Sequence, residues 1–113
     1  MSWICRLVEG PIDLTKLEIG DMYFFDALRH DLSDYYRAHN SGRLPLMVLL
    51  PGRNFFSIDS KCYGPIPGKP GENGYYGGWT VTGVPPKITV DPSINMVGRY
   101  HGFLKNGVIG DPI

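Results

Sequence analysis

Residues 46–59 read LMVLLPGRNFFSID, and this stretch decides the fold class. Leu46 to Leu50 is an unbroken apolar run of strand length, which is the pattern of a central strand covered on both faces. Pro51-Gly52-Arg53-Asn54 consists of turn residues, and Phe55 to Asp59 again contains residues that favour strands. The two apolar segments are therefore predicted to pair as a β-hairpin.

Short segments of the same kind occur on both sides of this hairpin. Each is rich in aromatic or β-branched residues and ends at glycine, proline or asparagine, as strands do. Asn106-Gly107 suits the positive φ angles of a type I′ turn, so residues 98–109 are predicted to form a terminal hairpin. The other predicted strands are Ser2–Val8, Met22–Phe25, Trp79–Thr82 and Ile88–Val90.

Two turns and one helix complete the predicted secondary structure. Asp13 can cap a single helical turn through Leu17, and Asp91-Pro92-Ser93 is expected to be a turn. Residues 31–39 (DLSDYYRAH) place apolar side chains at helical spacing and are followed by Asn40-Ser41-Gly42, which is typical of a helix end. We therefore expect one mostly β domain of the α+β class over residues 1–113. Its predicted architecture is a curved antiparallel sheet or partly open barrel with the helix packed on it.

The composition narrows the classes of function. Of the 113 residues, 11 are Lys or Arg and 11 are Asp or Glu, so the formal net charge is zero. This balance argues against a general nucleic-acid-binding protein, which usually has a basic excess. No segment approaches the roughly 20 apolar residues of a membrane span, and the first eight residues are too short for a signal-peptide core. A cytoplasmic protein is expected, in a host cytoplasm if the protein is viral.

Cysteine and histidine are few and scattered. The scarcity of cysteine favours two reduced thiols at Cys5 and Cys62, although one disulfide between them stays open. Neither cysteine nor any of His30, His39 and His101 stands at a CxxC or HxxxH spacing, which is what makes a zinc site readable from sequence. We expect no metal and no cofactor. If metal were bound, the candidate ligands would be Cys5, Cys62 and His101.

Ser93 and His101 are candidate catalytic residues. They come together if the segments that carry them pair as neighbouring strands, and a serine beside a histidine is the nucleophile and base of many hydrolases. A hydrolase also needs a group that orients the histidine and an oxyanion hole, and no GxSxG motif is present. The alternative is structural: Ser93 caps a turn and His101 lies on a strand face.

The stretch Gly64–Gly78 (GPIPGKPGENGYYGG) is predicted to be an irregular loop, because prolines and glycines interrupt it throughout. Its tyrosines offer stacking surface and hydroxyl groups, so it is the first candidate for a recognition surface, together with basic residues of the terminal hairpin. A solvated connector whose tyrosines pack back on the sheet is the structural alternative. In a further alternative, the loop covers a sheet edge with its rings turned inward. The candidate binding residues are Lys69, Tyr75, Tyr76, Arg99 and His101.

The segment from residue 78 to residue 111 contains a spaced set of turn and core residues. They are Trp79 and Gly83, then Thr89, Pro92 and Ser93, then His101, and Asn106-Gly107. In these positions the segment resembles a family of small phage and bacterial proteins of unknown function. Some members have a cysteine directly before the histidine and further cysteines upstream, which suggests metal binding for them, whereas here Tyr100 stands at that position and no CxxC precedes it. The resemblance implies a phage or prophage context rather than a particular activity.

These observations favour a small non-enzymatic binding protein, encoded by a phage or prophage, that sequesters a small ligand or blocks a host protein. One alternative is a small hydrolase-like or metal-dependent enzyme that uses His101 and Ser93. Another is a structural or assembly component of a phage. The sequence is compatible with a homo-oligomer and does not identify the ligand or partner.

Overall fold

The computed structural model describes residues 1–24, 46–59, 62–76 and 78–113, without the side chains of residues 62 and 63. The helix predicted over residues 31–39 lies outside the described residues, as does the residue at the end of the predicted strand Met22–Phe25. The described residues form eleven strands: β1 Trp3–Ile4, β2 Arg6–Leu7, β3 Asp21–Phe24, β4 Leu46–Leu50, β5 Asn54–Ser57, β6 Cys62–Pro65, β7 Asn73–Tyr76, β8 Thr80–Val84, β9 Lys87–Met96, β10 Tyr100–Lys105 and β11 Val108–Ile109.

The strands form three sheets. The first has the order β1-β11-β10-β9-β8, the second has the order β2-β3-β4-β5, and the third is the hairpin β6-β7. Every pair is antiparallel except β2 with β3, and no sheet within the described residues closes into a barrel. The predicted mostly β, antiparallel fold class is confirmed.

Strand β4 is covered on both faces, as its apolar sequence predicts. It pairs with β3 along one edge and with β5 along the other. Its residues Val48, Leu49 and Leu50 are fully buried. Alternate side chains of a strand point to opposite faces, so these three can be buried only between two layers. Val48 and Leu50 contribute to the main core, where the two larger sheets meet. That core contains Cys5, Met22, Leu46, Val48, Leu50, Phe56, Ile58, Ile88, Val90, Ile94, Tyr100, Leu104 and Ile109.

A smaller cluster covers the opposite face of β4. Leu49 packs there with Leu17 and Tyr23, and the chain from Val8 to Ile19 supplies the rest of the cover. Within this segment the predicted helical turn is present as a 3₁₀ turn at Leu14–Lys16, and the carboxylate of Asp13 accepts the Thr15 N–H at 3.0 Å.

Arg53 ties this covering segment to the hairpin β4–β5. Its guanidinium donates to the carbonyl oxygens of Leu17, at 2.8 Å, and Leu14, at 3.3 Å. Through Arg53, the turn between β4 and β5 holds the segment from Val8 to Ile19 over the face of β4 that carries Leu49.

The predicted strand Ser2–Val8 is divided between two sheets. Its first part, β1, pairs with β11, and its second part, β2, pairs with β3. Between them the Cys5 N–H donates to the Gly107 carbonyl at 2.8 Å. The chain thus passes from the first sheet to the second at Cys5. The alternation of apolar and polar residues in the sequence does not reveal this change of sheet.

Two segments that the sequence predicts to be a loop and a turn contain paired strands instead, so both predictions are wrong. In Gly64–Gly78 the structure has a hairpin in which Gly64 pairs with Gly74, and the prolines and glycines at positions 67, 68, 70 and 71 lie in its turn at residues 66–72. The predicted turn Asp91-Pro92-Ser93 lies within β9. There the register shifts so that three residues of β9 lie opposite Phe103 of β10, which is a bulge rather than a chain reversal.

The short apolar strands of the sequence predict ten core residues, and most of these predictions are correct. The ten are Trp3, Phe24, Val48, Leu49, Phe56, Ile58, Trp79, Val81, Ile88 and Leu104. Val48, Leu49, Phe56, Ile58, Ile88 and Leu104 are buried, whereas Trp3, Trp79 and Val81 are half-buried and pack against the main core. The predicted burial of Phe24 is wrong, since this residue is 39% exposed at the end of β3. Tyr100 was not predicted as a core residue, yet it is buried and its hydroxyl donates to the Gly110 carbonyl at 2.8 Å.

Replacing Leu49 by alanine is expected to lower the free energy of unfolding by about 2–5 kcal/mol, because the side chain is fully buried between two layers. The control is Phe24→Ala, a large apolar truncation at an exposed position, which should cost clearly less. Urea denaturation followed by tryptophan fluorescence measures both. Equal losses in the two variants would contradict the double cover of β4.

Replacing Gly102 by alanine is expected to destabilise the fold by about 1–3 kcal/mol, the usual cost of overpacking. A Cβ at Gly102 would overlap the Tyr100 hydroxyl oxygen and would lie 2.6 Å from the ring carbon that bears it. Gly110→Ala is the control, since a Cβ there meets its first neighbour at 3.7 Å. Thermal unfolding of both variants checks the prediction, and equal melting temperatures would overturn the packing of Tyr100 over Gly102.

Candidate functional site

An open groove of about 280 Å³ lies beside the turn that joins β9 to β10. The turn is closed by a hydrogen bond from the Arg99 N–H to the Met96 carbonyl at 2.8 Å. The last residues of the chain run beside β10 and form the other wall, because the Ile113 N–H donates to the His101 carbonyl at 2.7 Å. Residues lining the groove include Asn95, Met96, Arg99, His101, Pro112 and Ile113.

Arg99 supplies a positive charge to this groove. Its side chain is exposed, and one guanidinium nitrogen lies 3.4 Å from the Asn54 amide oxygen. That contact is long and uses one of the five N–H donors of a guanidinium. Arg99 can therefore bind an incoming anion without losing a short hydrogen bond.

Ser93 and His101 are brought together, and their contact is the one that pairing of neighbouring strands predicted. The Ser93 Oγ lies 3.1 Å from the His101 Nε2, with the donor set by the tautomer of the ring. His101 stands opposite Asn95 in the β9–β10 ladder, and Ser93 precedes Asn95 by two residues. Serine and histidine are thus diagonal neighbours on one face of the sheet.

The remaining predicted binding residues lie elsewhere. Lys69 is in the turn of the hairpin β6–β7, and Tyr75 and Tyr76 are on β7. Tyr75 is 70% exposed, and Tyr76 is half-buried. None of the three lines the groove, so the structure places Arg99 and His101 in one site and these three residues on a separate hairpin.

Cys5 is a buried thiol rather than an exposed ligand. Burial raises its pKa to about 12, and the nearby Asp21 carboxylate adds to the shift. Within the part of the chain that the structure describes, no group of three or more His, Cys, Asp or Glu side chains is placed to hold a metal ion. His30 and His39 lie outside the described residues, and so does the side chain of Cys62.

Asp21 is the buried charged side chain of this region. Its two carboxylate oxygens accept from the Arg6 guanidinium at 3.1 and 3.0 Å, and one of them also accepts the Glu18 N–H at 2.9 Å. A buried carboxylate needs such partners, because an unpaired charge away from water is costly. These contacts assign Asp21 a structural role beneath the crossing at Cys5.

Sequence reasoning missed the groove residues Asn95 and Met96 and the wall formed by Pro112 and Ile113. Period-two alternation through β9 would have placed Asn95 on the same face as Ser93. The supposed turn at Asp91-Pro92-Ser93 hid that alternation. No local signal in the sequence marks the wall, because it depends on hydrogen bonds to β10.

No protein-family model matches the chain, and no curated protein and no solved structure is significantly similar to it.

Among the described residues, no helix is long and apolar enough to cross a membrane.

In a Cys62→Ser variant, which leaves Cys5 as the single thiol, we expect Cys5 to resist alkylation by iodoacetamide in the folded protein at pH 8. The thiolate is the reactive form, and burial keeps it protonated until the pH approaches about 12. Labelling should become rapid in urea. Mass spectrometry of the intact protein measures the alkylated fraction, and rapid labelling without urea would contradict the burial of Cys5.

Proposed function

We propose that the protein is a small binding protein that holds the anionic group of a small ligand in the groove beside the β9–β10 turn. The observation that carries the proposal is the placement of Arg99 and His101 in the walls of one open groove. A guanidinium binds carboxylates and phosphates through charge-assisted hydrogen bonds, which are stronger than neutral ones.

The other groove residues support an anion. The Asn95 amide and the His101 ring add hydrogen-bonding groups. Arg99 is the only Lys, Arg, Asp or Glu among the described residues that line the groove. The anion would lie against Arg99, with Asn95 and His101 available to orient it.

The size and the apolar residues of the groove limit the rest of the ligand. About 280 Å³ is just below the usual range for ligand pockets, roughly 300–1,000 Å³, which argues for a molecule of metabolite size or smaller. Met96, Pro112 and Ile113 provide apolar surface beside the polar groups. The favoured ligand is therefore a small carboxylate or phosphate with an apolar body.

The resemblance of residues 78–111 to small phage and bacterial proteins adds a biological context to the proposal. In that context the protein would sequester such a ligand within an infected or lysogenic cell. Blocking a host protein and serving as an assembly part are the competing roles. Both would use a larger surface than the groove, such as the hairpin with Tyr75 and Tyr76.

Benzoate is a suitable probe, because it combines a carboxylate with a small apolar ring. In an NMR titration we expect saturable shifts of the amide signals of residues 95–101, 111 and 113. Arg99→Gln should weaken binding about 10-fold, which corresponds to one charge-assisted hydrogen bond. Lys105→Gln is the control, since Lys105 is also basic and exposed on β10 but lies over the Phe103 ring, 4.6 Å from its centre.

Equal affinities of the Arg99→Gln and Lys105→Gln variants, or shifts that do not saturate, would contradict the groove as an anion site. The double variant Tyr75→Ala with Tyr76→Ala tests the hairpin in the same titration. Unchanged benzoate binding would leave the groove as the whole site, and a loss as large as that of Arg99→Gln would contradict a site confined to the groove.

A further inference from the structure

The contact between Ser93 and His101 has the geometry of a nucleophile and its base. The 3.1 Å separation of Oγ and Nε2 is within the range of a hydrogen bond through which a serine proton passes to a histidine. Both side chains lie at the surface, where a reagent can reach them. Nothing in the anion-binding role requires this contact.

Hydrogen bonds to the backbone carbonyl groups of Ser93 and His101 hold both residues in place. The Trp79 indole N–H donates to the Ser93 carbonyl at 3.2 Å, and the Trp79 ring packs edge-on against the buried Phe56, with 5.0 Å between ring centres. The His101 carbonyl accepts from the Ile113 N–H. Side chains on paired strands with such supports keep their relative position better than side chains on loops do.

We infer that Ser93 is a nucleophile activated by His101, and that it accepts the acyl group of an activated ester. In this step the Ser93 Oγ attacks the ester carbonyl carbon and a new O–C bond forms. The Oγ proton moves to Nε2 of His101. The bond between the carbonyl carbon and the leaving oxygen breaks, the leaving group takes the electron pair, and the proton on His101 passes to the leaving group or to water.

The groove next to His101 indicates which esters react best. Arg99 lines the same groove, so an ester that also carries a carboxylate or phosphate would be held with its anion at the guanidinium. Acylation of Ser93 by a neutral ester does not depend on that anion site. The inference therefore goes beyond the proposed binding function and can be tested separately from it.

The contacts of His101 also limit the rate that we expect for the reaction with esters. A full triad has a third group that orients the histidine through Nδ1 and donors that stabilise the oxyanion. No hydrogen bond from the His101 Nδ1 is found among the described residues. Reaction of one acyl group per chain is therefore the expected outcome, rather than rapid turnover.

The experiment treats the unaltered protein with p-nitrophenyl acetate, a neutral activated ester, and follows release of nitrophenolate. Peptide mass spectrometry then locates the acetyl group. We expect one acetyl group on Ser93. Ser93→Ala should abolish the release above background, and His101→Gln should slow it about 100-fold, the low end of the usual contribution of a general base.

Ser2→Ala is the matched control, because Ser2 is also an exposed serine, and its rate should equal that of the unaltered protein. Acetylation that maps to residues other than Ser93 would overturn the inference. An undiminished rate in Ser93→Ala would also overturn it, and so would an undiminished rate in His101→Gln. Circular dichroism of each variant confirms that it is folded.

Two separate measurements distinguish this inference from the proposed function. Failure of benzoate to bind the unaltered protein would contradict the proposed anion site and leave the nucleophile intact. Failure of the neutral ester to acetylate Ser93 would overturn the nucleophile and leave the proposed anion site intact. In Lys105→Gln, which changes a basic residue of β10 that does not line the groove, Ser93 should be acetylated within about twofold of the unaltered rate.

Discussion

The burial of β4 on both faces is the constraint on which the rest of the structure depends. An apolar strand with Val48, Leu49 and Leu50 all fully buried needs two layers of cover, and the chain supplies them by different means. On one face the five-stranded sheet packs against it to form the main core. On the other, a segment that is mostly irregular closes over Leu49, and the Arg53 side chain fastens that segment by two hydrogen bonds to carbonyl oxygens.

The two sheets are connected where the chain passes from β1 to β2. Gly20 lies against this crossing, and a Cβ there would come within 2.9 Å of the Ile4 carbonyl oxygen. Its φ of +98° is one that side-chain-bearing residues rarely adopt. Directly after it, Asp21 is buried with its carboxylate paired to Arg6. The close backbone contact at Gly20 and the paired carboxylate of Asp21 therefore lie side by side. Together they fix how the first sheet packs on the second.

The candidate site follows from the irregularity of β9. The bulge at Asp91-Pro92-Ser93 inserts extra residues opposite Phe103, and bulges of this kind re-aim side chains near functional sites. Ser93, the last residue of the bulge, is diagonal to His101 in the ladder, and the Trp79 indole N–H holds the Ser93 carbonyl. The same ladder ends in the turn that presents Arg99. One distorted strand pair thus carries both the anion site that we propose and the serine that we infer to be reactive.

Local patterns in the sequence determined the hairpin at residues 46–59, the cap at Asp13 and the turn at Asn106-Gly107, because each depends on neighbouring residues only. The structure bears out all three, including the positive φ angles of the turn, 50° and 74°. The mostly β class follows from the same patterns.

The tertiary structure alone decided which strands share a sheet, that Gly64–Gly78 contains a paired hairpin, and that Phe24 is exposed while Tyr100 is buried. For the site, the sequence named Ser93, Arg99 and His101, but the groove exists only because residues 112–113 lie beside β10. Pairing between distant segments depends on which edges and faces are left free when the chain collapses. No local pattern of residue types contains that information.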